Sequence, residues 1–558
     1  MLRVLCYSKN MKKYVIKIDR TDKKSILQYC RENGIDLCPA PCGGRGTCGK
    51  CKVHVTKPYD KVVLACKTEA VNGMEIAQVR DESENMVVLQ GDKVSDDTVD
   101  EKDRHDDLDR RIVSPKDGIR DRSSDVICAA CDIGTTTVVC SIIDPVTKDV
   151  LASRAGANPQ RSFGADVVSR IEAACADDDN LKTMNNAIVN LISGWITDMI
   201  QKLGVEKIKL LTVAANTTMC HLFAGISPEK IGKAPFMPDE LFGKEYKGAG
   251  IGILNCEKVY IIPAVSGYVG GDITAGMAEC IDADEMTLYL DIGTNGEMAL
   301  GRGGKYLCAA TAAGPAFEGA QIEMGMPGQK GAIDKVWLEG RKICYSVIGN
   351  VRPLGICGSG IIDAVAVFLD TGIIDENGTI KDMADIPLWY RPYVEVFDDE
   401  DDDEDIYPAE TAEKVVHISP EVILNQDDIR KIQLAKSAIA AGIDVLIKEY
   451  GITYNEIDRV CLAGGFGNYL DQKSAARIGL IPEKLLKKTV SVGNAAQKGA
   501  IATAYIYEDH GSKTETKILN KDIINKTNAI ISTMAYIELS TYRGFDEMYV
   551  SHINFTCP

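Results

Sequence analysis

One four-residue word occurs twice in this chain. "CDIGTTTVV" at 131–139 and "LDIGTNGEM" at 290–298 each set Asp-Ile-Gly-Thr directly after an apolar run, "VICAAC" and "MTLYL" respectively. An apolar run that ends this way reads as a strand closing in a tight turn, because a glycine lets the backbone bend where a side chain would clash. From Val126 to about Tyr507 apolar strands alternate with helical segments. That alternation is the α/β pattern, and the repeated word inside it implies two similar lobes.

The turns also suggest chemistry. The sequence contains no GxxxxGK[ST] loop, so a P-loop is excluded. In its place, Gly134 and Gly293 allow close backbone approach, and the N–H groups beside Thr135, Thr136, Thr137, Thr294 and Asn295 suit phosphate oxygens. Asp132 and Asp291 suit Mg2+ held through water, since magnesium keeps much of its hydration shell. "CLAGGFGNYL" at 461–470 suits an adenosine. This constellation resembles the ASKHA superfamily of acetate and sugar kinases, heat-shock chaperones and actin. The resemblance implies a phosphate-1 turn at Asp132, a phosphate-2 turn at Asp291 and an adenosine loop at Gly464, Gly465 and Phe466. Three further glycine motifs either line the cleft or pack helices tightly: "GGDITA" (Gly270, Gly271, Asp272), "AAGPAFEGA" (Gly314, Glu318, Gly319) and "GICGSGIIDA" (Gly355, Gly358, Gly360). The polar stretch around Asp166 and the turn Asn216–Thr218 are candidates for the same cleft.

The other chemical feature is "PCGGRGTCGKCKV" at 41–53. Cys42, Cys48 and Cys51 are spaced C-x5-C-x2-C, with Cys66 following in "LAC". Zinc knots usually pair two CxxC hairpins, and only one is present here. A long glycine-rich first loop suits an iron–sulphur cluster, whose sulphurs accept from backbone N–H groups. Zinc and a bare turn are the alternatives, and Cys38 lies close enough to replace a ligand. The stretch resembles [2Fe-2S] ferredoxins of the plant and adrenodoxin type, which implies Cys42, Cys48, Cys51 and Cys66 as ligands on a small α+β, β-grasp domain. Strand-like "KKYVIKID" and a short amphipathic helix ending near Gly34 precede the loop.

Composition narrows the setting. A net charge of −18 over 558 residues argues against a nucleic-acid partner. No apolar run approaches a membrane span, and "MLRVLCYSKNMKK" is too short in apolar residues for a signal peptide. The 19 cysteines sit in a long chain of ordinary 45% apolar content, which points to a reducing cytoplasm rather than a disulphide scaffold. Cys140, Cys175, Cys220, Cys256, Cys280, Cys308, Cys344 and Cys461 are expected as small core residues. The acidic run Asp398–Asp405 is expected as a solvated loop.

The expected organisation is therefore a [2Fe-2S] ferredoxin-like domain over 1–80, a charged linker over 81–125, and a two-lobed ASKHA ATPase over 126–558 ending in a strand-rich segment. As a whole the chain resembles the reductive activators of corrinoid-dependent methyltransferases. That resemblance implies ATP-dependent delivery of one electron, reducing Co(II) to Co(I) on a partner corrinoid protein, with an external electron donor and a possible homodimer. No D-x-H-x-x-G signature surrounds any of the six histidines, so the cobalt belongs to the partner. Because 81–125 is short, any middle domain of longer relatives is expected to be reduced or missing. Alternatives are an activator of a radical dehydratase or aryl-CoA reductase, separable by iron and sulphide counts, and a small-molecule kinase, separable by a phosphorylated product.

Overall fold

A computed structural model describes residues 13–17, 23–33, 35, 37–38, 40, 44, 46, 51–59, 61–78, 126–319, 321–397, 413–464, 470–505 and 519–555. The expected linker 81–125 and the acidic run 398–405 lie outside these residues. The described residues fall into two compact units. The first holds those between 13 and 78, 126–275, 496–505 and 519–527; the second holds 276–495 and 528–555.

The first unit opens with β1 (Lys13–Val15), helix α1 (Ile26–Glu32), β2 (Lys52–Lys57), β3 (Lys61–Leu64) and β4 (Glu75–Gln78). They form one sheet in the order β1-β4-β2-β3. Helix α1 starts at a capping box, where the Ser25 hydroxyl accepts from Gln28 N at 3.2 Å and the Gln28 side chain accepts from Ser25 N at 2.9 Å. Its apolar face, Ile26, Leu27 and Tyr29, joins Val53, Val55 and Ile76 in a core of its own.

The rest of the first unit is a six-stranded sheet. It starts as an antiparallel meander of β5 (Cys128–Ile133), β6 (Thr137–Ile143) and β7 (Val150–Ala157), followed by helices α2 (Val167–Ala176) and α3 (Asp178–Leu203). Next come β8 (Ile208–Ala215), α4 (Thr217–Ala224), β9 (Lys244–Lys247) and β10 (Cys256–Ile261), giving the order β7-β6-β5-β8-β10-β9. Strands β5 and β8 are buried almost throughout, which is why they read as unbroken apolar runs. Helix α3 instead buries one stripe, Met184, Ile188, Ile192, Ile196 and Met199, at helical spacing.

The second unit repeats this plan. β11 (Thr287–Ile292), β12 (Gly296–Arg302) and β13 (Lys305–Thr311) form an equivalent meander. Two three-stranded sheets follow, one of β14 (Ala332–Glu339), β15 (Lys342–Val347) and β16 (Gly355–Ile356), the other of β17 (Val394–Phe397), β18 (Glu413–Ser419) and β19 (Val422–Asn425). Then β20 (Arg459–Ala463) and β21 (Thr489–Gly493) add in parallel beside β11, and β22 (Met534–Ile537) adds in parallel beside β13.

Two expectations need correction. The strand-rich ending is confined to β22; Phe545–Ser551 is helical. Phe545 and Met548 stand three apart and pack against the core of this unit, a helical period that a strand could not bring to one face. Among the expected core cysteines, Cys140, Cys220, Cys256, Cys308 and Cys461 are buried, whereas Cys280 and Cys344 are half-buried and Cys175 is exposed. Cys175 lies near the polar end of α2, in "AACADDD". No helix among the described residues is long and apolar enough to cross a membrane.

Candidate functional site

Both Asp-Ile-Gly-Thr words close hairpins through three-residue turns, Gly134–Thr136 between β5 and β6 and Gly293–Asn295 between β11 and β12. In the first, Gly134 N donates to Thr137 O at 2.9 Å, and a Cβ on Gly134 would stand only 2.7 Å from that oxygen. Glycine is therefore required by space.

Each carbonyl of the first turn accepts a hydrogen bond from the protein. The Asn158 side chain donates to Gly134 O at 2.8 Å, Arg170 Nη2 to Thr135 O at 2.6 Å, and Asn158 N to Thr136 O at 2.8 Å. The Thr135 hydroxyl accepts from Asn216 Nδ2 at 3.0 Å. With its carbonyls held this way, the peptide planes of the turn are fixed, as an anion-binding nest requires. Asn158 and Arg170 are fully buried, and Arg170 also donates from Nε to Gly164 O at 3.0 Å. Both lie within the polar stretch around Asp166 that the sequence reading singles out, 158–171, though it names neither. Their signal was an arginine on the buried stripe of α2 and an asparagine before a proline. Asp166, singled out in that stretch, caps α2 by accepting from Ser169 N at 2.7 Å. Asn216 both caps α4 and braces Thr135.

Asp132 lies half-buried as the penultimate residue of β5, two residues before the turn. Thr136 and Thr137 are half-buried, and Thr137 opens β6. In "GGDITA", a Cβ on Gly270 would meet Asn216 Cα at 2.4 Å, and one on Gly271 would meet Ile262 O at 2.5 Å, so both glycines pack against backbone. Asp272 accepts from Ile273 N at 2.8 Å, yet burial pushes its carboxyl up to about 6.

The second turn is more acidic. Gly293 N donates to Asn295 O at 2.9 Å, Thr294 Oγ1 donates to a Glu318 oxygen at 2.9 Å, and Asn295 Nδ2 donates to a Glu297 oxygen at 3.1 Å. Asp291 pairs in register with Glu297 across β11 and β12. Gly464 closes on this group in the left-handed region at φ +97°, and a Cβ there would stand 2.8 Å from an Asp291 carboxylate oxygen. Gly465 and Phe466 lie outside the described residues. Gly314 and Gly319 take φ +76°, whereas Gly355 and Gly360 press on Met324 O and Ile333 O.

In the N-terminal sheet, pairing of β2 with β3 sets Lys52 opposite Leu64, so the residues just outside that pair come together. Cys51 and Cys66 meet there with sulphurs 3.1 Å apart, too far for a disulphide bond and close enough to share a ligand. Gly44 and Gly46 turn through left-handed backbone at φ +94° and +78°. Paired thiols beside such a loop fit a cysteine-ligated cluster. Cys42 and Cys48 lie outside the described residues. Cys38 and Cys30 are buried among the apolar residues of this module.

A cysteine module and a doubled Asp-Ile-Gly-Thr turn in one chain are the parts that a nucleotide-coupled iron–sulphur protein would need. Comparison with known proteins narrows the class. The chain matches a 2Fe-2S iron-sulfur cluster binding domain over 13–71, the RACo middle region over 127–282, and the C-terminal domain of RACo, the ASKHA domain, over 285–557. The corrinoid activation enzyme RamQ of Eubacterium limosum is 32% identical over 97% of either chain. The [Co(II) methylated amine-specific corrinoid protein] reductase of Methanosarcina barkeri is 24% identical over 76% of either chain. A solved reductive activator for corrinoid,iron-sulfur protein is 30% identical, covers 95% of either chain and superposes with a TM-score of 0.65. The chain belongs to the RACo family, the reductive activators of corrinoid proteins. The expected loss of a middle domain does not hold, because the family's middle region matches the part of the chain that carries the first Asp-Ile-Gly-Thr turn.

Proposed function

We propose that this chain is an ATP-dependent reductive activator that passes one electron to Co(II) on a partner corrinoid protein, forming Co(I). A [2Fe-2S] cluster on Cys42, Cys48, Cys51 and Cys66 would supply that electron at low potential. The observation that carries the reading is the Cys51–Cys66 thiol pair in a chain that doubles the Asp-Ile-Gly-Thr turn. The Asp132 turn and the Asp291 turn are each read as phosphate-binding, and each carboxylate by itself suits Mg2+ held through water. Gly464, Gly465 and Phe466 serve the adenosine. An external donor re-reduces the protein, which works in the cytoplasm as a homodimer. The working division is a cluster domain over 1–80, a linker over 81–125 and a nucleotide-binding body over 126–558.

Anaerobic mixing with a Co(II) corrinoid protein tests this. Reduced protein with MgATP should convert the corrinoid spectrum from Co(II) to Co(I), and nucleotide omission should stop the conversion. Equal conversion without nucleotide would overturn the reading.

A further inference from the structure

Arg31 closes the last turn of α1 and is half-buried. Its Nε donates to Ser162 O at 2.8 Å, a second bond runs from Nη2 to the same oxygen, and its guanidinium lies 4.8 Å from the centre of the Phe163 ring. The guanidinium also lies beside the cysteine loop, where a Cβ built on Gly44 would stand 3.8 Å from Nη1 and 3.9 Å from Nη2. One cation thus lies against both the cluster loop and the body. Two hydrogen bonds to one carbonyl, together with a stack on a buried ring, make a contact of defined geometry.

What Arg31 holds is not an arbitrary piece of surface. Ser162 and Phe163 end a single 3-10 turn, Pro159–Ser162, whose cap is Asn158. Asn158 accepts from Gln160 N at 2.9 Å while bonding Gly134 O and Thr136 O of the first turn. The far end of the same segment, Gly164 O, is bonded to Arg170, which bonds Thr135 O. A four-residue 3-10 turn spans about 8 Å and has little internal freedom. Any shift of Gly134–Thr136 is therefore delivered to Ser162 and Phe163 at both of its ends.

We propose that Arg31 is the positioning residue through which nucleotide at the Asp132 turn sets the docking of the iron–sulphur module. The inference rests on the reading that this turn binds nucleotide. The two-state element is the seat of α1 on the 159–163 segment, engaged or released, and nucleotide biases it by fixing the turn beneath.

The test uses the full chain, loaded with its cluster under anaerobic conditions, as wild type, Arg31→Gln and Arg31→Lys. Binding of a non-hydrolysable ATP analogue with Mg2+, hydrogen exchange over 26–32, and the cluster midpoint potential are measured with and without that analogue. In wild type the analogue should change exchange over 26–32 by at least about fivefold, the lower end of ordinary allosteric coupling, and should move the midpoint potential. Arg31→Gln should still bind the analogue, with an affinity changed by no more than that same coupling factor, and keep its cluster, yet lose both responses. Arg31→Lys, which keeps the charge but not the fork, should recover part of them. A full response in Arg31→Gln overturns the inference, as does wild type that binds the analogue with no response over 26–32. Failure of wild type to bind the analogue overturns the nucleotide reading itself and this inference with it. If Arg31→Gln loses its cluster, Phe163→Leu takes its place by removing the ring and sparing the carbonyl bonds. A weakened response there supports the inference, and an unchanged one overturns it.

Discussion

At the scale of the residue, a buried carboxyl and a half-buried glycine carry costs of different kinds. Asp363 is buried in the helix Gly358–Thr371, where one oxygen accepts from Val336 N at 3.3 Å and burial pushes its carboxyl from 3.8 up to about 6. A raised carboxyl pKa favours the neutral form in the folded state. Stability is then fully present below about pH 3.8 and is lost as pH rises through about 6. Ionisation at pH 7 costs about 3 kcal/mol on that difference, at 1.36 kcal/mol per unit. Asp363→Asn should melt above wild type at pH 7, with the gap shrinking towards pH 4. Melts at several pH values check it, in dilute solution because the pI is about 5.0. A gap independent of pH sinks the assignment. Gly464 is constrained by space instead. Gly464→Ala should lose most nucleotide-dependent activity and roughly 1–3 kcal/mol of stability through left-handed strain and the clash with Asp291, while keeping its iron. Wild-type ATP turnover in that variant would refute this. Of such residues the sequence showed those whose identity is the signal, namely glycines and acids in a repeated word. Arg170 and Asn158 were hidden because their role depends on which carbonyl lies beside them after folding.

Elements were the most legible level, for a physical reason. A fully buried strand must be apolar throughout, so β5 and β11 announce themselves, and the turn after β5, where Gly134 admits no Cβ, must be glycine. The equivalence of the two meanders follows from the doubled word. The final helix was misread because "YIELSTYRGFDEMYV" is rich in aromatic residues favourable to strands, and its helical period of three shows only once its core is known. Glycine motifs are the intermediate case. "GGDITA" allowed either a ligand cleft or close packing, and backbone contacts fill the space around both of its glycines. Gly270 presses on Asn216 and Ala215, where β8 passes into α4. Gly270→Ala should therefore destabilise by about 1–3 kcal/mol as an overpacking change. Thermal melting reads it directly, and an unshifted midpoint would remove packing as the reason for this glycine.

At the scale of the whole molecule, the question is what nucleotide must contribute. Each 59 mV of uphill one-electron transfer costs about 1.4 kcal/mol, so a step of about 0.2 V needs about 5 kcal/mol. Reversing a two-state equilibrium from 1:99 to 99:1 takes about 5.5 kcal/mol of differential binding, which is of the same size. Joining the modules in one chain is then the functional point, since neither an electron carrier nor an ATPase alone performs the step. Such coupling predicts a double dissociation. Cys51→Ser removes one of the paired thiols and should lose the cluster, while both Asp-Ile-Gly-Thr turns keep their residues, so ATP binding should persist within the roughly fivefold that coupling through Arg31 allows. Asp291→Asn should retain the full visible spectrum and EPR signal of the cluster but lose ATP turnover by at least about a hundredfold, the outcome that the proposed Mg2+-holding role of Asp291 requires. Both variants should fail to form Co(I) on the partner, for unrelated reasons. Mixing them restores nothing if each electron must pass within the chain whose nucleotide drives it. Recovery of Co(I) formation in the mixture would instead mean that one chain's cluster can be served by another chain's nucleotide, and the coupling would have to lie between subunits.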